Sequence, residues 1–351
     1  MERAFKFFDI ATLFFICALI FFLPISKAAI QITVSLSILA FLGASITKKF
    51  KNFPKTDLNI QLFVFIVALL LSVLFSVDLK TSSITFLKKN LEWFLLFFII
   101  IATLKSSKRI KIFLGVFFFS AFIVVLDGLI QQINGADLFR GHIYNDRISA
   151  SFDHHNNLAG YIGVMLPVTF SFFIITKKKI INIFFFVLTL LLMYCLMMTF
   201  SRGGYLSTFI AFDFFLIFSL FKFKNLNFRK LSISLLIFIN IIILFSIISA
   251  YRLPIDLVVE RLRVEGGAGR FLGGIWSQTF TLFKSKPFFG YGPGTFMETF
   301  KNFNCSLKPT YTHNCYLQML MEIGLIGFIP FLWIIIISIK ILIKSILKNN
   351  N

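Results

Sequence analysis

Runs of about 20 apolar residues recur along this chain, with short basic segments between them. A backbone surrounded by hydrocarbon must pair its own N–H and C=O groups, so runs of this length fold as spanning helices. They are read at 7–25, 28–46, 58–77, 86–104, 112–133, 158–176, 180–200, 204–221, 231–250 and 319–342. The first is too long and too lightly flanked for a cleaved signal peptide, and it runs straight into the second, so it is read as retained. The fourth is the weakest, because Lys88, Lys89 and Glu92 crowd its start. Composition agrees: the charged share is 14%, whereas a soluble surface needs about a quarter. The expected fold is an all-α polytopic membrane protein, one integral membrane domain over 1–351, with about ten transmembrane helices and room for eleven or twelve. The 51 Phe residues carry no functional reading, since AT-rich coding alone produces such a bias.

The net charge of +20 would suit a nucleic-acid binder, but here Lys and Arg sit in short runs between spans. That is membrane anchoring, and no nucleic-acid partner is expected. Of the 35 Lys and Arg, 20 fall on one set of connections, 7 on the opposite short ones and 8 in the long segment 251–313. The richer side is the inner one, which puts both termini in the cytoplasm. His142, His154, His155, His313, Arg202 and Arg270 then all face outward. A cationic outer face bearing histidines suits an anionic, lipid-linked substrate. The outer loop 134–157 and the long periplasmic loop region 251–313 are too short to be separate enzymes, so a site there is shared with the membrane helices. No solenoid repeat is present.

Four constellations carry chemistry. Ser201-Arg202-Gly203-Gly204-Tyr205 ends the seventh span. An arginine this close to hydrocarbon needs a partner or a task, and its planar fork suits phosphate oxygens; a snorkelling anchor at a helix turn is the plain alternative. Gly266-Gly267-Ala268-Gly269-Arg270, then Trp276, then Pro287 through Phe296 give glycine-rich backbone that can form an anion nest or a hinge. It lacks the Gly-Lys-Ser/Thr ending of a nucleotide-binding loop. His313, in Thr312-His313-Asn314-Cys315, stands where the long loop enters a helix and can act as a general base or be a surface residue. Glu322, about half a turn around that helix, is not expected to orient it. Arg147 through Gly160 holds His154 and His155. Adjacent histidines are expected to point apart, which argues against metal, and an Asn cap on the sixth span is the plainer reading. Cys17 and Cys195 read as apolar filler. Cys305 and Cys315, both outward, are expected to pair. Asp213, near mid-span, is read as functional or as a neutral hydrogen-bonding group.

Taken in order, Phe-x-x-x-Asn-x-Leu-Ala-Gly from Phe152, Ser-Arg-Gly-Gly from Ser201, Pro-x-x-Gly-x-Gly-x-Gly-x-Phe from Pro287, and His-Asn-x-x-Leu-Gln from His313 followed by Glu-x-Gly-Leu-Ile-Gly from Glu322 resemble the O-antigen ligase family and its relatives. Those relatives are the O-antigen polymerases and bacterial O-oligosaccharyltransferases. The resemblance covers about 147–335. Two departures stand out. Arg270 and Trp276 are six apart where the family has about four, so Arg261 and Arg263 remain alternatives; and ten spans are read where the family often has about twelve. The resemblance implies a metal-independent inverting glycan transferase of the bacterial inner membrane. It would work at the periplasmic face, without a cofactor, moving a glycan from undecaprenyl diphosphate to an acceptor hydroxyl, first of all on lipid A-core oligosaccharide. It implies Arg202 and Arg270 on the diphosphate and His313 as base, with Arg147, His154, Asn157, Gly292, Asn314 and Glu322 contacting diphosphate or glycan. The implied partners are the lipid-linked donor, a lipid or glycolipid acceptor and membrane lipids. Polymerase and protein-glycosylating readings stay within the family. A transporter would show an internal repeat or paired broken helices, and neither is read in the sequence.

Overall fold

In a computed structural model of the chain, the described residues are 1–47, 54–222, 274–303, 312 and 314–348, and every regular element among them is helical. A lone bridge pairs Ala136 with Ile143. The chain is an all-helical polytopic membrane protein. Exposed Phe7, Phe14, Leu39, Phe63, Ile180 and Phe214 would be an aggregation liability in water; on a membrane protein they face lipid.

The chain divides into two compact units. The first comprises Met1–Lys48 and Thr103–Arg252. Its elements are α1 (Glu2–Phe22), α2 (Lys27–Thr47), α6 (Ser107–Asn134), α7 (His155–Ile175), α8 (Lys179–Met198) and α9 (Arg202–Lys222). The α1–α2 hairpin closes where Gly43 lets the Phe8 ring approach: a Cβ there would sit 2.7 Å from it. Arg109 on α6 forks onto the Asp9 carboxylate of α1, and Ser120 Oγ donates to the Phe21 carbonyl at 3.0 Å. Phe118, Phe170, Phe185 and Phe212 are among the buried residues of its core. Phe118 meets Phe172 and Phe185 edge-on at 4.9 and 4.8 Å, an arrangement the ring quadrupole favours.

The second unit comprises Lys49–Ala102 and Leu253–Asn351. It holds α3 (Asn59–Leu74), α4 (Leu79–Thr85), a π-helical turn (Phe86–Leu91), α5 (Glu92–Thr103), α10 (Ile275–Ser285), α11 (Phe296–Asn302) and α12 (Cys315–Lys348). Phe65, Leu69, Val73, Phe86 and Ile323 form one buried cluster, and Ile275, Leu282, Phe296, Phe300 and Met321 another.

Among the described residues, six helices are long and apolar enough to cross a membrane: α1, α2, α6, α7, α8 and residues Cys315–Ser345. They correspond to the first, second, fifth, sixth, seventh and tenth predicted spans. The third and eighth appear as the shorter apolar stretches Asn59–Leu74 and Gly203–Leu216. The ninth, 231–250, lies outside the described residues. The fourth differs in kind. Its helix starts earlier, at an Asp78 cap whose carboxylate accepts the Thr81 N–H at 3.0 Å. The helix then widens into the π turn at Lys88 and Lys89. α12 is likewise not one rod: it breaks at Gly324, where φ is 60°.

Candidate functional site

In the first unit the loop 134–157 is stapled by two polar residues of α6, Asp127 and Gln131. They lie one turn apart and have no exposed surface. α6 ends at Gly135 in the left-handed conformation. Gln131 Oε1 accepts the N–H groups of Ser149 and Ala150, both at 2.9 Å, and its Nε2 donates to the His142 carbonyl at 3.0 Å. Asp127 Oδ1 accepts the Leu138 N–H at 2.7 Å. Arg140 donates to the Ile25 carbonyl at 3.0 Å and to Asp153 at 2.6 Å, and Asp153 also pairs with Lys27. Lys27 holds the Asp153 carboxyl below its usual range. The pairing is therefore complete at neutral pH and is lost as pH falls through that lowered value. Gln131→Ala would leave the N–H groups of Ser149 and Ala150 unpaired, while the His142 carbonyl keeps the Asp137 N–H at 3.1 Å. It is expected to cost about 2–4 kcal/mol, at 1–3 per orphaned group with partial relaxation, read as a fall in Tm of the detergent-purified protein; an unchanged Tm would remove the staple.

The loop delivers the chain into α7. His154, in extended conformation, caps the helix, its Nδ1 accepting the Asn156 N–H at 3.2 Å. The cap is thus a histidine rather than the expected asparagine. The adjacent rings do not point apart either: His154 and His155 lie 3.9 Å apart, tilted by 34°. The chain turns from extended to helical between them, and Arg147 Nη1 holds His155 Nε2 at 3.1 Å. Among the described residues no group of three or more His, Cys, Asp or Glu is placed to hold a metal ion.

Asn156 joins two of the four motifs. Its side-chain oxygen accepts the Ser201 hydroxyl at 2.8 Å, and Ser201 Oγ in turn accepts the Gly204 N–H at 3.2 Å. The motif glycine is required here, because a Cβ on Gly204 would sit 2.5 Å from the Ala159 Cβ. Further along, Phe170 meets Phe212 at 5.1 Å. α7 and α9 therefore run parallel, closing on small residues, with their N-termini side by side. Each N-terminus is a positive dipole end, which suits an anion. Arg147 is exposed on the loop beside α7, and Arg202 is the first residue of α9.

In the second unit the other two motifs lock together. Gly290, Gly292 and Gly294 all have positive φ. They allow the loop 287–295 to lie along α12 where it breaks. The Tyr291 and Gly292 N–H groups donate to the Met321 and Glu322 carbonyls at 3.1 and 2.7 Å. Past the break, the N–H groups of Leu325 and Ile326 donate to the Pro287 and Phe288 carbonyls at 2.9 and 3.1 Å. Backbone groups freed by the kink are thus paired by the loop, as they must be at membrane depth. Glu322 closes the arrangement, its carboxylate accepting the Gly294 N–H at 2.9 Å and the Gln318 amide at 3.0 Å. The start of α12 is capped by Asn314, whose Oδ1 accepts the Leu317 N–H at 3.1 Å. Trp276 Nε1 donates to the Thr312 carbonyl at 2.7 Å.

The residues implied by the resemblance thus fall into two groups. Arg147, His154 and Asn157 share the start of α7, with the Arg202 backbone beside it. Gly292, Asn314 and Glu322 are knit together in the second unit, where the side chains of Asn314 and Glu322 are already committed to the protein. Arg270 and His313 lie outside the described residues, as does the Arg202 side chain; Cys305, proposed to pair with the exposed Cys315, lies outside them too. Asp213 is half-buried on α9. Sequence reasoning missed three things: the bond between the motif residues Asn156 and Ser201, the pair Asp127 and Gln131, and the Ser72–Thr85 stretch against the glycines. Polar residues spaced i, i+4 within an apolar span were the available signal for Asp127 and Gln131. Nothing local marked Ser76, whose hydroxyl donates to the Tyr291 carbonyl at 3.0 Å.

A family model described as O-Antigen ligase matches residues 187–332. No curated protein and no solved structure matches the chain. The matched stretch contains the Ser201, Pro287, His313 and Glu322 motifs; the Phe152 motif precedes it and is tied to it through Asn156 and Ser201. The match supports the O-antigen ligase family as the one this chain resembles, over residues 187–332.

Proposed function

We propose that the protein transfers a glycan from undecaprenyl diphosphate to an acceptor hydroxyl, first of all on lipid A-core oligosaccharide, at the periplasmic face of the bacterial inner membrane. The observation that carries the reading is the Asn156–Ser201 junction. It sets two helix N-termini side by side, with Arg147 ahead of one and Arg202 opening the other. In an inverting displacement the acceptor oxygen attacks the anomeric carbon as the bond to the diphosphate oxygen breaks. Charge develops on the leaving lipid diphosphate, and donors aimed at it lower the barrier. Arg202 and Arg270 serve that charge, and His313 takes the acceptor's proton. Cationic side chains and helix N-termini supply the electrostatic role that a divalent ion plays in other transferases. A broken helix such as α12 is also a transporter feature, but here the break is filled by the loop 287–292.

Purified protein given a lipid-linked donor and a core acceptor is expected to form product at the same rate with and without EDTA. A loss restored by a divalent metal ion would overturn the metal-free chemistry. Topology is tested with an impermeant thiol reagent in spheroplasts, with Cys305 and Cys315 replaced by Ser. Asn145→Cys should label and Lys178→Cys should not. The reverse pattern would put the histidines in the cytoplasm and remove the reading.

A further inference from the structure

The second unit contains a cleft of about 290 Å³ between the start of α4, the end of α10 and α11. It is near the lower end of small-ligand sites, at roughly 300 Å³, and too small for a polyprenyl chain. Its walls are of two kinds. Phe303 and Tyr291 supply apolar surface, while Asp78, Glu298, Thr299 and Asn302 supply polar groups. In a chain of net charge +20, two of the residues lining this cleft are carboxylates and none is a cation. Neither is spent on a cation: Asp78 is turned to the Thr81 N–H and hydroxyl, and Glu298 has no ion pair among the described residues. Thr299 Oγ1 is shielded from solvent and has no hydrogen-bond partner. A buried hydroxyl left unpaired is costly and calls for a ligand or water. The geometry is anchored by its neighbours: Tyr291 Oη bonds Ser285 Oγ at 2.6 Å, and Thr295 Oγ1 donates to the Gly292 carbonyl at 2.7 Å.

We propose that this cleft binds one sugar ring of the glycan acceptor, its hydroxyls donating to Glu298 and Asp78 and bonding Asn302 and, once its side chain turns into the cleft, Thr299, its C–H face against Tyr291 and Phe303. A phosphate is excluded by the two carboxylates, and a bare cation is a poor match for the apolar walls and the amide. A polyhydroxylated ring offers several donors to acceptor-only carboxylates and an apolar face to the aromatic side. The assignment rests on the glycan-transfer reading, and it makes this cleft the acceptor's specificity element.

The test uses the full chain in detergent and saturation-transfer NMR with methyl glycosides of neutral hexoses and N-acetylhexosamines, with pyrophosphate as competitor. Thr299→Val is nearly isosteric and removes an unpaired group, so Tm should hold or rise while sugar affinity falls. Glu298→Gln, on an exposed position, should also keep Tm and weaken the sugar roughly tenfold, the loss of a charge-assisted hydrogen bond. In transfer assays both should raise the acceptor KM and leave the donor KM alone, whereas Arg202→Ala should lose transfer and still bind the sugar. Equal sugar affinity in the wild type and both variants, or displacement of the sugar by pyrophosphate, overturns the assignment. Transfer that proceeds normally with no sugar signal overturns it too and leaves the transferase reading standing. A wild-type chain that binds the sugars through Glu298 and Thr299 yet transfers none supports the cleft and sinks the transferase reading.

Discussion

Arg202→Ala is expected to lower glycan transfer by about a hundredfold or more, the loss seen when one donor to a developing oxyanion is removed. The argument rests on position. Arg202 opens α9, directly after Ser201, which is pinned by Asn156 on one side and by the Gly204 N–H on the other. Gly204 cannot carry a side chain against Ala159, so the backbone that presents Arg202 has little room to shift. Arg202→Lys should recover little, since an ammonium is a point charge and does not reproduce a bidentate fork. Ser201→Ala should sit between the two, because it loosens the presenting turn and leaves the guanidinium in place. His313→Ala should be as severe as Arg202→Ala in rate yet keep donor binding, because a base for the acceptor does not hold the diphosphate. The measurements are single-turnover transfer and donor binding at matched expression. Wild-type transfer by Arg202→Ala would end the phosphate role, and wild-type transfer by His313→Ala would move the base elsewhere, with His154 or His155 next.

The second large effect is structural and has an unusual sign. In a helix interior Gly→Ala normally stabilises by about 1 kcal/mol. Gly324→Ala should instead destabilise by more than about 3 kcal/mol. A Cβ there would lie 2.2 Å from the Phe288 carbonyl oxygen and 2.5 Å from its carbon, both backbone atoms that cannot rotate away. The positive φ adds strain on the order of 1–2 kcal/mol. If the loop 287–292 is pushed off, the Leu325 and Ile326 N–H groups lose their partners, and unpaired groups in hydrocarbon are expensive. Thermal unfolding in detergent and protease sensitivity near residue 290 report the loss. A Gly324→Ala protein as stable as wild type would show that α12 can run straight.

Much of this was legible because membrane helices announce themselves locally. Hydropathy over a window located α1, α2, α6, α7, α8 and α12, and the glycine spacing at 290, 292 and 294 announced unusual backbone. What the glycines face was not legible: the Gly292 N–H donates to Glu322, far along the chain. Periodicity cannot register a bond between distant segments. The same blindness hid the bond from the Gly294 N–H to the Glu322 carboxylate. The motifs name Asn156 and Ser201 but not the bond between them. That bond depends on which face of α7 meets α9, and only packing decides it.

The π-helical turn at Phe86–Leu91 has a consequence for how this helix tolerates changes of length. Each residue of an α-helix advances the side-chain direction by about 100°, so losing one from α4 or α5 would swing every later side chain off its neighbour. The π turn already carries a surplus residue relative to α-helix. Deleting one position between Phe86 and Leu91 would let the turn relax to ordinary α-geometry, keeping Thr85 against Gly294 and Phe94 against Phe65. Single-residue gaps among homologous chains should therefore gather at this turn and be rare on either side of it.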